Sequence, residues 1–507
     1  MTSEHVDVLI IGAGLSGIGA ARHLQLRCPG KTYTILEARD AIGGTWDLFR
    51  YPGVRSDSDM YTLGYAFKPW EDAKAIADGP SILEYVRSTA RDHGIDDHIR
   101  FGHRVVRAAW SSADARWEVE AHDAATGTTT RLTASFLFSC TGYYRYDEGY
   151  TPPLPGVERF AGPVVHPQHW PEDLDHAGRR VVVIGSGATA VTLVPAMAQT
   201  AAHVTMLQRS PSYVLALPGR DPLADALRRR LPARVAYPIV RWKNVLLTGG
   251  FYQLSRRAPK VAKALIRRGV ERGLGGRHPL EPHFVPAYEP WDQRLCLVPD
   301  GDLFRALRDG SASVVTDTIE TFTETGLRLT SGAELEADVI VTATGLNLLA
   351  LGGMQLTVDG REVRLPETLG YKGMMLSDVP NFAIAIGYTN ASWTLKCDLT
   401  CQYVCRLLHH MDAHGYVACT PRNHDPDLPT RPFIDLTSGY VQRSVAEFPR
   451  QGPRTPWRLF QNYPRDVVLL RYGSLDDGAM EFTRASAARA PEAPTAFRPV
   501  ASSGAAT

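Results

Sequence analysis

The sequence predicts an α/β chain built from two dinucleotide-binding, Rossmann-like domains, the second carrying a helical insertion. Three observations carry that prediction. A glycine-rich turn closes an apolar run in V-D-V-L-I-I-G-A-G-L-S-G, from Val6 to Gly17. A second closes another apolar run in V-V-V-I-G-S-G-A-T-A, from Val181 to Ala190. Pro-broken, helix-like sequence then fills residues 216 to 291.

In the first loop, helical spacing resumes after Gly17 with Ile18, Ala20, Ala21 and Leu24, which sets the glycines at a strand-to-helix turn. Gly12 makes the tight turn, Gly14 lets backbone approach a pyrophosphate, and Gly17 lets the helix pack closely, with Ser16 in the same turn. The pyrophosphate would rest on the helix N-terminus. A second apolar strand, Tyr33 to Leu36, ends at Glu37. A carboxylate there accepts hydrogen bonds from a ribose diol and repels a 2'-phosphate, so this site is expected to take FAD or NAD and not NADP.

Gly185, Ser186, Gly187, Ala188, Thr189 and Ala190 form the second loop, with Ala190 in the third glycine's place. Its following strand, His203 to Leu207, ends in Gln208, Arg209 and Ser210, a fork of donors suited to a 2'-phosphate. This loop is expected to bind NADPH. Two such loops in one chain predict electron transfer between two cofactors.

The Pro/Gly-rich stretch Thr151 to Gly156 marks the crossover into the second domain. The strand and turn A-D-V-I-V-T-A-T-G-L, Ala337 to Leu346, mark the return. The expected division is an FAD-binding domain in two parts, 1–146 and 347–484, and an NADP-binding domain in two parts, 152–215 and 292–346. The helical insertion covers 216–291, and residues 485–507 read as a disordered Ala/Pro/Ser/Thr-rich tail. Two linkers leave the domains free to rotate.

A net charge of +1 with 21% charged and 44% apolar residues gives no general attraction to nucleic acid. Seven cysteines, odd in number and set in apolar sequence, fit reduced thiols in a cytoplasmic chain. Cys397, Cys401 and Cys405 recur every fourth residue and read as a buried helix face, with no accompanying ligand cluster for a metal. No signal peptide or membrane span is expected. From Arg228 to Arg277 the chain carries fourteen Lys or Arg and a single acid, Glu271. Such a stretch is either a solvated helix face or a site of peripheral membrane contact. The sequence leaves the oligomeric state open.

Two further motifs are long enough to be specific. Phe160, Gly162, His166, Trp170 and Pro171 stand in F-A-G-P-V-V-H-P-Q-H-W-P, and Gly43 to Asp57 reads G-G-T-W-D-L-F-R-Y-P-G-V-R-S-D. With these the chain resembles the type I Baeyer-Villiger monooxygenases, within the class B flavin monooxygenases. HPQHWPEDLD, PWDQRLCLVP, YKGMM and GYTNASWTLK are similar to the ethionamide-activating branch. The resemblance covers roughly residues 5 to 480.

It implies an enzyme in which NADPH reduces FAD and O2 then forms a C4a-peroxyflavin. The peroxide attacks a ketone and leaves an ester or lactone, with sulfoxidation as a side activity. By the same resemblance Arg294, in P-W-D-Q-R-L-C, is the catalytic arginine and Asp57 the acid that orients it. Guanidinium suits the role, being a cation that does not give its proton away. Gly44, Thr45, Trp46, Asp47 and Leu48 are expected along the flavin, and Arg55, Ser56 and Asp57 near the nicotinamide nucleotide. Val105 is expected to meet adenine through its backbone, and Asn390, Ser392 and Trp393 to line a substrate pocket. His166 is read as a linker residue that transmits domain movement and not as a base.

Many relatives of that type carry Lys before the catalytic Arg; here Gln293 stands there, which leaves the 2'-phosphate to Arg209 and Ser210. The substrate is a small ketone or sulfur compound, its identity set by loops in 216–291 and 430–465. Oxygenation of thioamides, sulfides or amines as the main reaction remains the alternative. A disulfide reductase is excluded, because residues 29 to 139 contain no cysteine. A non-enzymatic flavin sensor would have no use for the Arg294 and Asp57 pair.

Overall fold

The computed structural model describes residues 4–485, so the tail expected from 485 lies, beyond its first residue, outside the described residues. Two sheets organise the molecule. The larger is centred on the strand Glu4–Ile11, flanked in parallel by Tyr33–Leu36 and Thr129–Ser139. These strands are almost continuously apolar because both of their faces are covered: Val8, Leu9, Ile10, Ile35 and Leu36 have no exposed surface. The antiparallel strands His103–Ser111 and Arg116–Asp123 extend this sheet. Two short strands from much later in the chain, Gln355–Val358 and Phe382–Ile384, join it, and the two-residue strands Ile99–Arg100 and Arg361–Glu362 form its edges.

The second sheet is wholly parallel, in the order Ala312–Thr316, His203–Gln208, Arg180–Ile184, Val339–Thr342, Val164–Val165. The fold is therefore two Rossmann-type α/β units, one interrupting the other. The chain passes between them twice, and the crossovers run side by side: Tyr144–Gly149 pairs antiparallel with Leu346–Leu348.

The insertion holds three helices, Pro222–Arg228, Ala233–Arg257 and Pro259–Leu274. Arg241, one of the fourteen cations, is buried and not solvated. It donates to the carbonyls of Tyr61 and Gly64, each at 2.7 Å, and pairs with Asp398 at 3.3 Å. Asp398 also meets His23 at 3.2 Å. Burial opposes the charge on Asp398, but His23, Arg241 and the Ala66 N–H together hold its pKa below the usual carboxylate value. Cys397, Cys401 and Cys405 are all buried along the helix Trp393–His414.

A candidate active-site cleft between two glycine loops

One cleft of about 970 Å³ runs between the two sheets, and both glycine loops open into it. At the first, Gly12 has φ +102°, and a Cβ there would stand 2.7 Å from the Cys140 carbonyl oxygen. A Cβ on Gly17 would collide with the Gly12 carbonyl. Gly14 caps the helix Leu15–Arg27 and offers no side chain to its first turn. The first-turn N–H groups are thus left for a ligand phosphate.

Glu37 lies at the end of its strand, 6% exposed, accepting from the N–H of Ala13 at 2.6 Å and of Arg39 at 2.9 Å. Burial raises its pKa, and these donors oppose the rise. Gly44, with φ +56°, lies against Gly14, so the G-G-T-W segment backs onto the first loop. Thr45 shares a 3.0 Å hydrogen bond with Tyr146, and Thr45, Trp46 and Val105 line the cleft.

Asp47 and Leu48 stand off the cleft wall. Asp47, 2% exposed, pairs with Arg39 at 2.6 Å and Arg87 at 2.8 Å, so it holds the segment in place from behind. Gly17 and Ala190 likewise lie behind the lining, where their smallness lets helix and strand approach.

At the second loop Gly185, with φ +143°, faces the Ala343 carbonyl, while nothing stands within 4 Å of a Cβ on Gly187. Ser186 donates to the Ser210 carbonyl at 3.0 Å, and Ser186, Ala188, Thr189, Arg209 and Ser210 line the cleft. Arg209 is exposed and has no side-chain partner among the described residues. Gln208 does not belong to the donor fork. It is 2% exposed and donates to the His283 carbonyl and the Thr316 hydroxyl, because the last residue of the strand turns its side chain to the core.

Between the loops, Arg294 pairs with Asp57 at 2.7 Å, their side chains 30% and 35% exposed. Asp57 raises the Arg294 pKa above arginine's ordinary value, against the opposing effect of burial. Tyr143, Tyr144 and Tyr440 surround the guanidinium, and burial pushes all three phenols upward, so they stay protonated. Arg55 makes a bidentate pair with Asp302, and Ser56 and Gln293 face the same space.

His166 bridges the crossovers. Its Nδ1 accepts from the Gln168 N–H at 3.2 Å, and its Nε2 donates to the Gly345 carbonyl at 3.1 Å. Burial lowers its pKa, and both ring nitrogens are engaged as a neutral imidazole requires. Phe160 packs on Phe322 in the core of the second unit. A Cβ on Gly162 would come 2.5 Å from the Asp338 carbonyl, Trp170 packs against the second unit's core, and Pro171 is half-buried beside it.

Of the three expected pocket residues, only Trp393 reaches the cleft, where it donates to Ser16 at 2.8 Å and packs on Tyr143. Asn390 is tied to the Gln461 carbonyl and Ser392 to Thr62, both away from the cleft. Ser438, Gly439, Tyr440 and Arg443 of the 430–465 region line it, whereas no residue of 216–291 does. Tyr143 and Tyr144 had a sequence signal, the turn after Phe136 to Gly142; Tyr440 had none.

Two dinucleotide folds facing one cleft define an oxidoreductase that couples two nucleotide cofactors. Residues 5–221 match the model of the flavin-binding monooxygenase-like family. FAD-containing monooxygenase EthA of Mycobacterium tuberculosis is 57% identical over 95% of this chain and 98% of its own length. EthA of Mycolicibacterium smegmatis is 53% identical over 96% and 99%. Among solved structures, an oxidized steroid monooxygenase bound to NADP superposes with a TM-score of 0.74 at 22% identity, covering 95% of this chain and all of that one. The chain belongs to the flavin-binding monooxygenase family and is an FAD-dependent monooxygenase.

Proposed function

We propose that this enzyme is a Baeyer-Villiger monooxygenase that takes electrons from NADPH and inserts one atom of O2 beside a ketone carbonyl. The observation that carries the proposal is the Arg294–Asp57 pair, partly open to the cleft between the two glycine loops. FAD would be held by the Gly12–Gly17 turn, Glu37 and the Gly44–Trp46 segment, and NADPH by the Gly185–Ala190 turn, Arg209 and Ser210. The glycine turns without capping side chains, the buried ribose acid and the single cleft onto which both turns open fit two such nucleotides. Bound FAD, reduced by NADPH, supplies the activation of oxygen.

The protein supplies charge, placement and dryness. As a ketone carbon becomes tetrahedral, negative charge gathers on its oxygen. Arg294 offsets that charge without surrendering a proton, since Asp57 keeps the guanidinium ionised and aimed. The phenols of Tyr143, Tyr144 and Tyr440 wall the same point with protonated hydroxyls and apolar ring faces. Trp393, fixed by its bond to Ser16, forms the apolar side on which a small ketone or sulfide rests. The domains, 1–146 with 347–484 and 152–215 with 292–346, turn about the paired crossovers, and His166 ties one crossover to the other.

The test is product analysis with purified enzyme, NADPH and air, on a vial holding a linear methyl ketone, phenylacetone and methyl phenyl sulfide. Esters are expected from the wild type. Arg294→Ala is expected to lower ester yield by about a hundredfold or more, as loss of an oxyanion stabiliser does, while flavin reduction by NADPH persists. Sulfoxide without ester from the wild type would instead assign heteroatom oxygenation as the main reaction.

A further inference from the structure

The insertion contributes nothing to the cleft wall, yet its surface is unlike the rest of the molecule. Of the fifteen large apolar side chains exposed among the described residues, nine fall between Leu217 and Leu265. Four of them, Val235, Ile239, Trp242 and Leu246, are spaced i, i+4, i+7, i+11 on the helix Ala233–Arg257 and are 40–60% exposed. This stripe lies opposite the buried row Ala236, Tyr237, Val240, Arg241 and Val245 that packs on the first unit. Trp242 also touches Tyr463, yet an apolar row on the solvent side of a helix already packed on its other side marks an interaction surface.

The cations of this region are of two kinds. Arg228, Arg241 and Lys243 turn inward and pair with Asp225, Asp398 and Asp221, and on the surface Arg256, Lys263 and Arg267 pair with Asp292, Glu289 and Glu271. Those turned outward at the two ends of the stripe, Arg229, Arg230 and Arg234 at one end and Arg257 and Lys260 at the other, are exposed. They have no acidic partner among the described residues. No acid occurs between Asp225 and Glu271.

We infer that this helix is a docking surface for an anionic lipid bilayer, lying in the plane of the interface with its apolar row in the acyl boundary and its terminal cations among headgroups. The charge pattern argues against a second copy of the chain, because a two-fold contact along this face would set cations against cations. The same helix reaches both sides of the Arg294–Asp57 pair: Asn244 donates to Asp59 at 2.8 Å and Arg256 binds Asp292 at 2.8 Å. Docking would therefore bear on a helix that touches near neighbours of both members of that pair.

The test is co-sedimentation of the purified holoenzyme with vesicles of phosphatidylglycerol and phosphatidylcholine in equal parts, and with phosphatidylcholine alone. The wild type is expected to pellet with the anionic vesicles at least about tenfold more than with the neutral ones, and less as salt is raised. Ile239→Glu/Leu246→Glu is expected to abolish pelleting, and Arg229→Glu/Arg230→Glu/Arg234→Glu to abolish the preference for anionic lipid, with flavin content unchanged in both. Because all seven native cysteines are buried, Leu246→Cys carrying an environment-sensitive dye gives a second readout, a blue shift on adding anionic vesicles. Three results would overturn the inference: a wild type that stays in the supernatant with no dye shift, pelleting that both the stripe variant and the Arg→Glu variant retain, or a stripe variant that only converts a larger oligomer to a smaller one.

Discussion

At the first loop the residue that closes the site, Glu37, is buried and already hydrogen-bonded to Ala13 and Arg39, and the glycines are enclosed by Cys140 and Gly44. At the second, Arg209 stands exposed with no side-chain partner among the described residues, and Gly187 has open space where a side chain would be. One motif has been built twice with opposite surroundings. A preorganised, enclosed site favours tight retention, because little ordering remains to be done on binding. An open site whose charge waits for its ligand favours exchange. The contrast fits a resident flavin and a nicotinamide nucleotide that comes and goes.

The sharpest way to break this comparison is to add one methyl group to each loop. Gly17→Ala drives a Cβ into the Gly12 carbonyl, so the loop must shift. The protein is expected to purify with flavin occupancy, read from visible absorbance, reduced by at least about tenfold. Gly187→Ala meets no atom within 4 Å and is expected to keep its flavin. Equal flavin loss in both would remove the distinction.

Next in size is Arg209→Ala. Losing hydrogen bonds to a charged group costs about 1.5–3 kcal/mol, which corresponds to a rise in KM for NADPH of about ten- to hundredfold. KM for NADH and flavin content are expected to stay as they were; steady-state kinetics with both nucleotides reads the difference.

The smallest effect is expected at Glu37, and it depends on pH. Burial holds the Glu37 pKa above the usual carboxylate value in the flavin-free protein. A ribose diol donates to the ionised form, so flavin affinity should strengthen as pH rises through that raised pKa and weaken as pH falls through it. Glu37→Gln should weaken flavin binding several-fold, by about 1 kcal/mol, and flatten this dependence. Fluorescence titration of flavin-free protein at several pH values measures both.

The parts of this enzyme legible in its sequence are those whose chemistry is local. A turn that needs positive φ shows its glycine at Gly12 and Gly185, and an acid twenty residues past Gly17 shows the end of the next strand. Local spacing misleads where a side chain's direction depends on packing. Gln208 is a donor at the right distance, but the final residue of its strand faces inward. Arg241 hides in a basic run, although its apolar helical neighbours Tyr237, Val240 and Val245 share its face and marked it as buried. Tyr440 lies almost 150 residues from Arg294, and no spacing rule links them. Asn390 and Ser392 lie in the return toward the cleft, but the chain there turns Tyr388, Ala391 and Trp393 to the wall, while Asn390 is held by Gln461 and Ser392 by Thr62.

The most direct measurement is isotopic. Purified enzyme is given NADPH, a linear methyl ketone and ¹⁸O-labelled O2, and the product is read by mass spectrometry beside an Arg294→Ala control. The proposed reaction predicts an ester with one labelled atom at the bridging oxygen, an unlabelled carbonyl oxygen, and almost no ester from the variant. An unlabelled ester, or equal labelled ester from wild type and variant, would contradict the role assigned to Arg294 and the cleft around it.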